Sequence, residues 1–195
     1  MTQLTLPGFD VPLPVPEHRF FFATMPDPAT AARISEIAEG LRSEKRRVLH
    51  TERLHVTLYS LGDFAYVPGA AITRACAAAD RIDVPSFCVT FDQILGFNGR
   101  PGHWPLVLTG GEELGALIDF QKQLAEALGK VGLRVSGKRF TPHVTLLYGE
   151  RRLDRRTIEP ITWTVREFIL IHSWIGRTHY DVMGRWPLTD SNVLV

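Results

Sequence analysis

The sequence is short of cysteine and of long apolar runs, and each shortage excludes a class of protein. Two cysteines, Cys76 and Cys88, in 195 residues exclude a disulfide-rich secreted scaffold and form no Cys-x-x-Cys site. No apolar run reaches the roughly 18 residues that a membrane helix requires, and no basic region precedes an apolar one at the N-terminus. We therefore expect a soluble, cytoplasmic protein that does not bind membranes.

An excess of charge of one sign is also lacking. The chain has 22 Lys and Arg residues against 21 Asp and Glu residues, and this net charge of +1 argues against a polybasic nucleic-acid coat or an acidic tail. Its 45% hydrophobic and 22% charged residues are the proportions of a folded globular protein. A chain of this length buries about 70% of its unfolded surface, so its core needs no metal or disulfide.

We predict one globular domain after a short arm. Residues 1–17 are interrupted by four prolines and are predicted to be an extended or mobile arm. Residues 18–195 contain no segment with the composition of a linker, so we predict a single domain of two lobes. No obligate protein partner is predicted.

Alternating apolar patterns predict an α+β fold. Segments rich in β-branched and aromatic residues predict strands near residues 19–25, 54–59, 87–93, 105–109, 141–148, 163–172 and 180–186. Helical spacing of apolar residues predicts helices near residues 28–43, 72–79 and 112–129. Asp27 is a predicted N-cap ahead of Pro28, and Cys76 lies on the apolar stripe of the second helix, which favours a core position over a nucleophile.

One unit of this pattern occurs twice. In each copy a strand and a helix precede a strand that contains His-Val-Thr-Leu, at nearly equal distances along the chain. Because strand side chains alternate between faces, His55 and Thr57 share one face, as do His143 and Thr145. If a pseudo-twofold axis relates the two units, both imidazoles and both hydroxyls face one cleft.

Two imidazoles and two hydroxyls suit phosphoryl chemistry without a metal. An in-line displacement at phosphorus places the attacking and leaving oxygens on opposite sides, so a base and an acid must stand opposite each other. Imidazole titrates near pH 6.5 and serves in either role, and hydroxyls donate to the phosphoryl oxygens. The residue pattern alone does not say which histidine is the acid.

Other interpretations of the histidines are weaker. A single strand histidine is more often structural than catalytic, but the repeated pair reverses that expectation. Zinc normally takes three or four protein ligands, and the two motifs supply two, so we predict neither a metal nor a cofactor. The chain also lacks a Gly-x-Ser-x-Gly motif and a glycine-rich phosphate loop. The other histidines lack a repeated context and are predicted to be surface or supporting residues: His18, His50, His103, His172 and His179.

Several segments together resemble a known family. They are the first strand Phe20–Ala23, the motif His55–Leu58 followed by Leu61–Gly62, the segment Arg139–Leu146, and the closing Gly184–Leu188. From about His18 to Leu188 the sequence resembles the 2H phosphoesterases, named for two His-x-Thr/Ser motifs. It is most similar to the bacterial RNA 2′,3′-cyclic phosphodiesterase family, also called the 2′-5′ RNA ligase family.

The resemblance implies a fold and a reaction. The fold is a bilobal, duplicated α+β architecture in which two antiparallel sheets line a central cleft and helices cover the outside. The reaction is the metal-independent opening of 2′,3′-cyclic phosphates of RNA ends or nucleotides to 2′-phosphates, with 2′-5′ ligation as a reverse side reaction. By this resemblance His55 is the acid that protonates the departing 3′ oxygen, and His143 is the base that activates water. Thr57 and Thr145 hold the phosphoryl oxygens.

One departure from the family affects the substrate. RNA-processing members commonly have Ala-Arg after the second motif, where this chain has Leu147 and Tyr148, so either an RNA end or a small cyclic nucleotide remains open as substrate. We predict that Arg139 binds phosphate and that Tyr148 and Trp174 stack on a base or lie in the cleft. The alternative function is a noncatalytic module that binds RNA ends or terminal phosphates.

Overall fold

The computed structural model describes residues 14–42, 48–134, 139–150 and 152–190. Most of the predicted N-terminal arm, and the basic residues Lys45, Arg46, Arg47, Lys138 and Arg151, lie outside the described residues. The described chain is a mixed α and antiparallel β structure, so the α+β class is confirmed.

The elements follow in the predicted order, with some differences at their ends. Strands and α-helices are β1 (His18–Thr24), α1 (Pro28–Gly40), β2 (Val56–Phe64), α2 (Gly69–Ala79), β3 (Phe87–Gly96), β4 (Trp104–Thr109), α3 (Gly115–Lys130), β5 (Val144–Gly149), β6 (Arg156–Val165), β7 (Glu167–Trp174) and β8 (Tyr180–Pro187). Short 3-10 turns occupy Thr51–Arg53 and Glu112–Leu114, so the third helix starts three residues later than predicted. The predicted cap of α1 is confirmed, because the Asp27 carboxylate accepts a hydrogen bond from the Thr30 amide at 3.0 Å.

The expectation of two antiparallel sheets is wrong for the described chain. Its strands form one eight-stranded sheet in the order β6-β3-β4-β5-β2-β1-β7-β8, with every neighbouring pair antiparallel. Two four-stranded halves meet at β2 and β5, where the Val56 and Val144 pair is the ladder pairing recorded between them. The halves are therefore joined narrowly, while the duplication of a lobe remains a prediction.

The prediction of a single strand over residues 163–172 is also wrong. The chain divides it at Arg166 into β6, which pairs with β3, and β7, which pairs with β1 and β8. β6 and β7 are one residue apart in sequence but belong to opposite halves of the sheet. Because one residue spans less than 4 Å, the sheet must bend so that its two ends approach each other. No glycine or proline marks this division, since it arises from which strands each segment pairs with.

The hydrophobic core covers one face of the sheet. Val56 and Leu58 of β2, and Val144 and Leu146 of β5, are fully or almost fully buried and pack in one cluster with residues of all three helices, such as Ile34 of α1. Cys76 is half-buried and packs against this cluster, as predicted. Since strand residues alternate, the residues between these valines and leucines lie on the opposite face of the sheet.

Because the two halves of the sheet are joined narrowly, we expect a small substitution at their junction to destabilise the protein. Val144→Ala should lower the free energy of unfolding by about 2 kcal/mol, because it removes buried methyl groups and leaves a cavity where the two halves meet. The matched control is Val182→Ala on β8, where the valine is 45% exposed and the change should stay within about 0.5 kcal/mol. Urea denaturation of both variants measures the difference, and equal effects would contradict this account of the junction.

Candidate active site

A cavity of about 700 Å³ lies on the face of the sheet opposite the core. Strands β1, β2, β5, β7 and β8 and the segment before β2 supply its lining: Arg19, Phe21, Leu49, Arg53, His55, Thr57, Ser60, Gly62, Asp63, Thr145, Tyr148, Ser173 and Tyr180. Gly62 has a φ of +124°, a conformation that disfavours other residues, and it lies beside an irregularity in the pairing of β1 with β2. The strand pairing shifts here within the cavity wall.

His55 lies immediately before β2 and enters the cavity with a fixed tautomer. Its Nδ1–H donates to the Arg53 carbonyl oxygen at 2.7 Å, and since a carbonyl only accepts, Nε2 is left without a proton in the neutral ring. The Thr57 hydroxyl, 3.1 Å from Nε2, then donates to it. The rings of Phe21 and Tyr180 lie against the imidazole, with centroids 5.0 Å and 5.8 Å away.

His143 is held in the same way, immediately before β5. Its Nδ1–H donates to the carbonyl oxygen of Thr141, also two residues earlier, at 2.8 Å, so its neutral form likewise has a bare Nε2. The Phe97 ring lies 4.8 Å from the imidazole centroid. His143 is not among the residues that line the cavity, whereas Thr145 of the same motif is. In both motifs the imidazole is oriented by the same hydrogen bond, from Nδ1–H to the carbonyl oxygen two residues earlier.

The strand register brings the two motifs together. Val56 pairs with Val144 in an antiparallel ladder. Continued by one residue on each side, that register sets His55 beside Thr145 and Thr57 beside His143. The four residues singled out by the repeat are thus the chain neighbours of the pair at which the two halves of the sheet meet.

Burial keeps both imidazoles neutral in the free protein. Burial lowers the pKa of His55 to about 4, against the opposing effect of its hydrogen bond to the Arg53 carbonyl. Positive charge on His143 and on Arg53 lowers the pKa of His55 further. Burial also lowers the pKa of His143 below its ordinary value. At neutral pH both rings are therefore bases with a lone pair on Nε2.

Two arginines line the cavity and differ in their partners. Arg19 forms two hydrogen bonds of 2.7 Å with the Asp63 carboxylate, which neutralises it. Arg53 instead donates from Nη2 to the Tyr180 hydroxyl at 3.2 Å and stacks on that ring, 4.6 Å from its centroid. Sequence reasoning missed both arginines and Tyr180. The available signal for Arg53 was a basic side chain two residues before the first motif histidine.

The remaining predicted site residues, Tyr148, Trp174 and Arg139, lie in three different places. Tyr148 lines the cavity with His55, is 39% exposed, and stacks on His103 at 4.1 Å with nearly parallel rings. Trp174 does not line it, because its indole donates to Asp181 at 2.7 Å on the other side of β7 from Ser173. Arg139 lines a separate cavity of about 970 Å³ together with residues such as Glu112 and Lys122. The structure does not bring Arg139 to the His55 cavity.

A second histidine cluster packs around Trp174. Nε2 of the buried His172 lies 2.9 Å from Nδ1 of His18, and Nε2 of His179 donates to Oδ1 of Asp181 at 2.8 Å. His172 is thus a supporting core residue. In the ranges that the structure describes, no three His, Cys, Asp or Glu side chains are arranged to hold a metal ion. No helix there is long and apolar enough to cross a membrane.

The described antiparallel sheet carries two His-x-Thr motifs at its central junction, as the resemblance to the 2H phosphoesterases predicts. The sequence model of the 2′-5′ RNA ligase superfamily matches residues 26–174, and the chain belongs to this superfamily. No curated protein matches the sequence.

Solved structures agree with this assignment. E. coli LigT in its apo form is 28% identical, with a TM-score of 0.72, and the match covers 90% of this chain and 100% of LigT. E. coli LigT complexed with 3′-AMP is 27% identical over the same shares of both chains, with a TM-score of 0.69. TT0787 of Thermus thermophilus is 22% identical and supports the fold alone, with a TM-score of 0.72 over 88% of this chain and 98% of TT0787.

The hydrogen bonds and burial of His55 predict its NMR titration. At pH 7 the nitrogen shifts of His55 and His143 should both report a protonated Nδ1 and a bare Nε2, and His55 should gain its second proton only near pH 4. In urea-unfolded protein the imidazoles should titrate near 6.5. Because the pKa of His55 is lower in the folded than in the unfolded protein, its contribution to the free energy of unfolding is complete above pH 6.5. Below pH 6.5 that free energy falls toward pH 4, by up to about 1.4 kcal/mol per pH unit from His55. Titration of folded His55 at 6.5 or above would contradict the described geometry.

Proposed function

We propose that the protein is a metal-independent cyclic phosphodiesterase that opens 2′,3′-cyclic phosphates of RNA ends or nucleotides to 2′-phosphates. The observation that carries the proposal is the pair of imidazoles whose Nδ1–H groups are both held by a backbone carbonyl, which leaves Nε2 of each neutral ring without a proton and able to take one up. Membership of the superfamily, and the complexes of LigT with 3′-AMP and with phosphate, support a substrate of this class.

In the proposed reaction Nε2 of His143 takes a proton from water as the water oxygen attacks phosphorus. The bond from phosphorus to the 3′ oxygen breaks on the opposite side, and Nε2–H of His55 gives its proton to that oxygen. The product keeps its phosphate on the 2′ oxygen, and the proton has moved in effect from His55 to His143. The assignment of acid and base rests on the resemblance to the family. Solvent exchange restores both rings for the next turnover.

Substrate binding prepares the acid. In the free protein His55 is neutral, and the negative charge of a bound phosphodiester favours its protonated form. Once Nε2 carries the proton that His55 gives to the 3′ oxygen, the Thr57 hydroxyl can no longer donate to Nε2 and turns its own proton toward a phosphoryl oxygen. In the proposed reaction Thr145, which also lines the cavity, donates to the phosphoryl group in the same way. The acid is thus charged when its substrate is present.

The cavity suits one nucleotide at the reacting end. Its volume of about 700 Å³ falls within the usual range for small-molecule sites. Tyr148, half-exposed and already stacked on His103, offers an aromatic face for an unpaired base at the cavity rim. These features fit a small cyclic nucleotide as well as the terminal nucleotide of an RNA.

The direct test follows the phosphorus atom. Incubation with adenosine 2′,3′-cyclic phosphate and with a short RNA ending in a cyclic phosphate should give 2′-phosphates, identified by phosphorus NMR. His55→Ala and His143→Ala should each lower turnover roughly 10²- to 10⁴-fold, because each removes one proton-transfer group. His50→Ala is the matched control, since His50 is exposed and outside the cavity.

The same assay separates the alternatives. Activity should persist in a strong chelator, and activity that is lost on chelation and restored by zinc or manganese would refute the metal-independent mechanism. Binding of the nucleotide without any turnover would support a noncatalytic module instead. A 2′-5′ linkage formed from two RNA ends would reveal the reverse reaction in the same site.

The pKa directions predict where the activity peaks. One imidazole must be neutral and the other charged, so the rate falls at low pH when both are charged and at high pH when both are neutral. Since the pKa values of both rings are lowered in the free protein, kcat/KM should peak below pH 6.5. Bound phosphate raises them, so kcat should peak at higher pH. Thr145→Ala should lower the maximum of the pH–rate profile without displacing its acidic and basic limbs. A wild-type rate that rises monotonically to pH 10 would exclude the two-histidine mechanism.

A further inference from the structure

Arg53 is the feature of the cavity that the proposed acid, base and hydroxyl groups leave unexplained. It ends the 3-10 turn two residues before His55 and lines the cavity. Its Nε is buried and has no hydrogen-bond partner among the described residues. A buried donor without a partner is costly, and the cost is recovered when an acceptor arrives.

The neighbours of Arg53 hold the guanidinium without neutralising it. Its recorded partners are the hydroxyl and the ring of Tyr180, both uncharged, and no described carboxylate forms an ion pair with it. Arg19, in the same cavity, differs because Asp63 cancels its charge with two hydrogen bonds. Tyr180 therefore orients the Arg53 guanidinium and leaves its positive charge available.

The charge of the lining matches that of a phosphodiester. Both imidazoles are neutral and Asp63 cancels the charge of Arg19, so the net charge of the described lining is one positive charge, that of Arg53. A 2′,3′-cyclic phosphate carries one negative charge. Tyr148, at the rim of the same cavity, supplies no cation.

We propose that Arg53 is the phosphate-binding cation of this site and that its guanidinium donates to the nonbridging oxygens of the substrate phosphate. This inference rests on the proposed function, in that it assigns the residue that recognises the phosphate of the cyclic nucleotide. The planar guanidinium fits two phosphoryl oxygens at once, which a hydroxyl does not do. A bound phosphate also satisfies the buried Nε and offsets the charge that opposes protonation of His55. Arg53 thus couples substrate binding to charging of the acid.

The test measures anion binding apart from catalysis. Isothermal titration with inorganic phosphate and with adenosine 2′-monophosphate compares the wild type with Arg53→Gln. The matched control is Arg33→Gln, which removes the same charge from an exposed position on α1 outside the cavity. Arg53→Gln should weaken both ligands about 10- to 100-fold, the usual range for one hydrogen-bonded charged group, while Arg33→Gln leaves them unchanged. KM for the cyclic nucleotide should rise by a similar factor.

Other variants separate binding from a purely structural role. Tyr180→Phe keeps the ring and removes the hydroxyl, so it should weaken phosphate less than Arg53→Gln does. If Arg53→Gln does not fold, Arg53→Met, which keeps the apolar length of the side chain, replaces it. A folded Arg53 variant that binds phosphate as tightly as wild type overturns the proposal, as does a wild-type protein that binds no phosphate. Phosphate binding that depends on Arg53, without turnover of any cyclic phosphate, upholds Arg53 and refutes the proposed function.

Discussion

The site depends on a single backbone pairing, that of Val56 with Val144, where the two halves of the sheet meet. Each valine directs its side chain into the core, and alternation therefore directs its two neighbours into the opposite face. The antiparallel register, if continued by one residue on each side, would set each histidine beside the threonine of the other motif. Core packing on one side of the sheet thus determines the placement of polar groups on the other. A shift of one residue would bury the histidines and expose the valines.

Backbone carbonyls and burial together determine what the histidines are able to do. The carbonyl two residues before each histidine removes the choice of tautomer, so neither ring needs to reorient in the proposed reaction. Burial makes the charged form of each ring unfavourable, which suits a base and opposes an acid. An acid in such a site needs a negative charge nearby, and the described cavity provides one carboxylate, Asp63, which Arg19 already occupies. In the proposed reaction the phosphate of the substrate is the remaining source of that charge.

The sequence predicted the features that are local or repeated. The paired motifs, the helix cap at Asp27 and the core position of Cys76 each follow from residues close together in the chain. The bend of the sheet did not, because β6 and β7 are divided at Arg166 by their choice of partners and not by a breaking residue. Sequence reasoning missed Arg53 because the buried Nε without a hydrogen-bond partner is visible only in the structure.

A single unpaired cation also suits the balance of charge through the proposed reaction. Addition of water passes one proton to His143 and takes one from His55, so the summed charge of the site and phosphate is unchanged when the 2′-monoester forms. The monoester gains a second negative charge only by a later ionisation near pH 6. A second unpaired arginine would hold that dianion more tightly and slow its release. In the proposed reaction, the pairing of Arg19 with Asp63 would therefore leave a site that binds the diester through Arg53 and still releases the product.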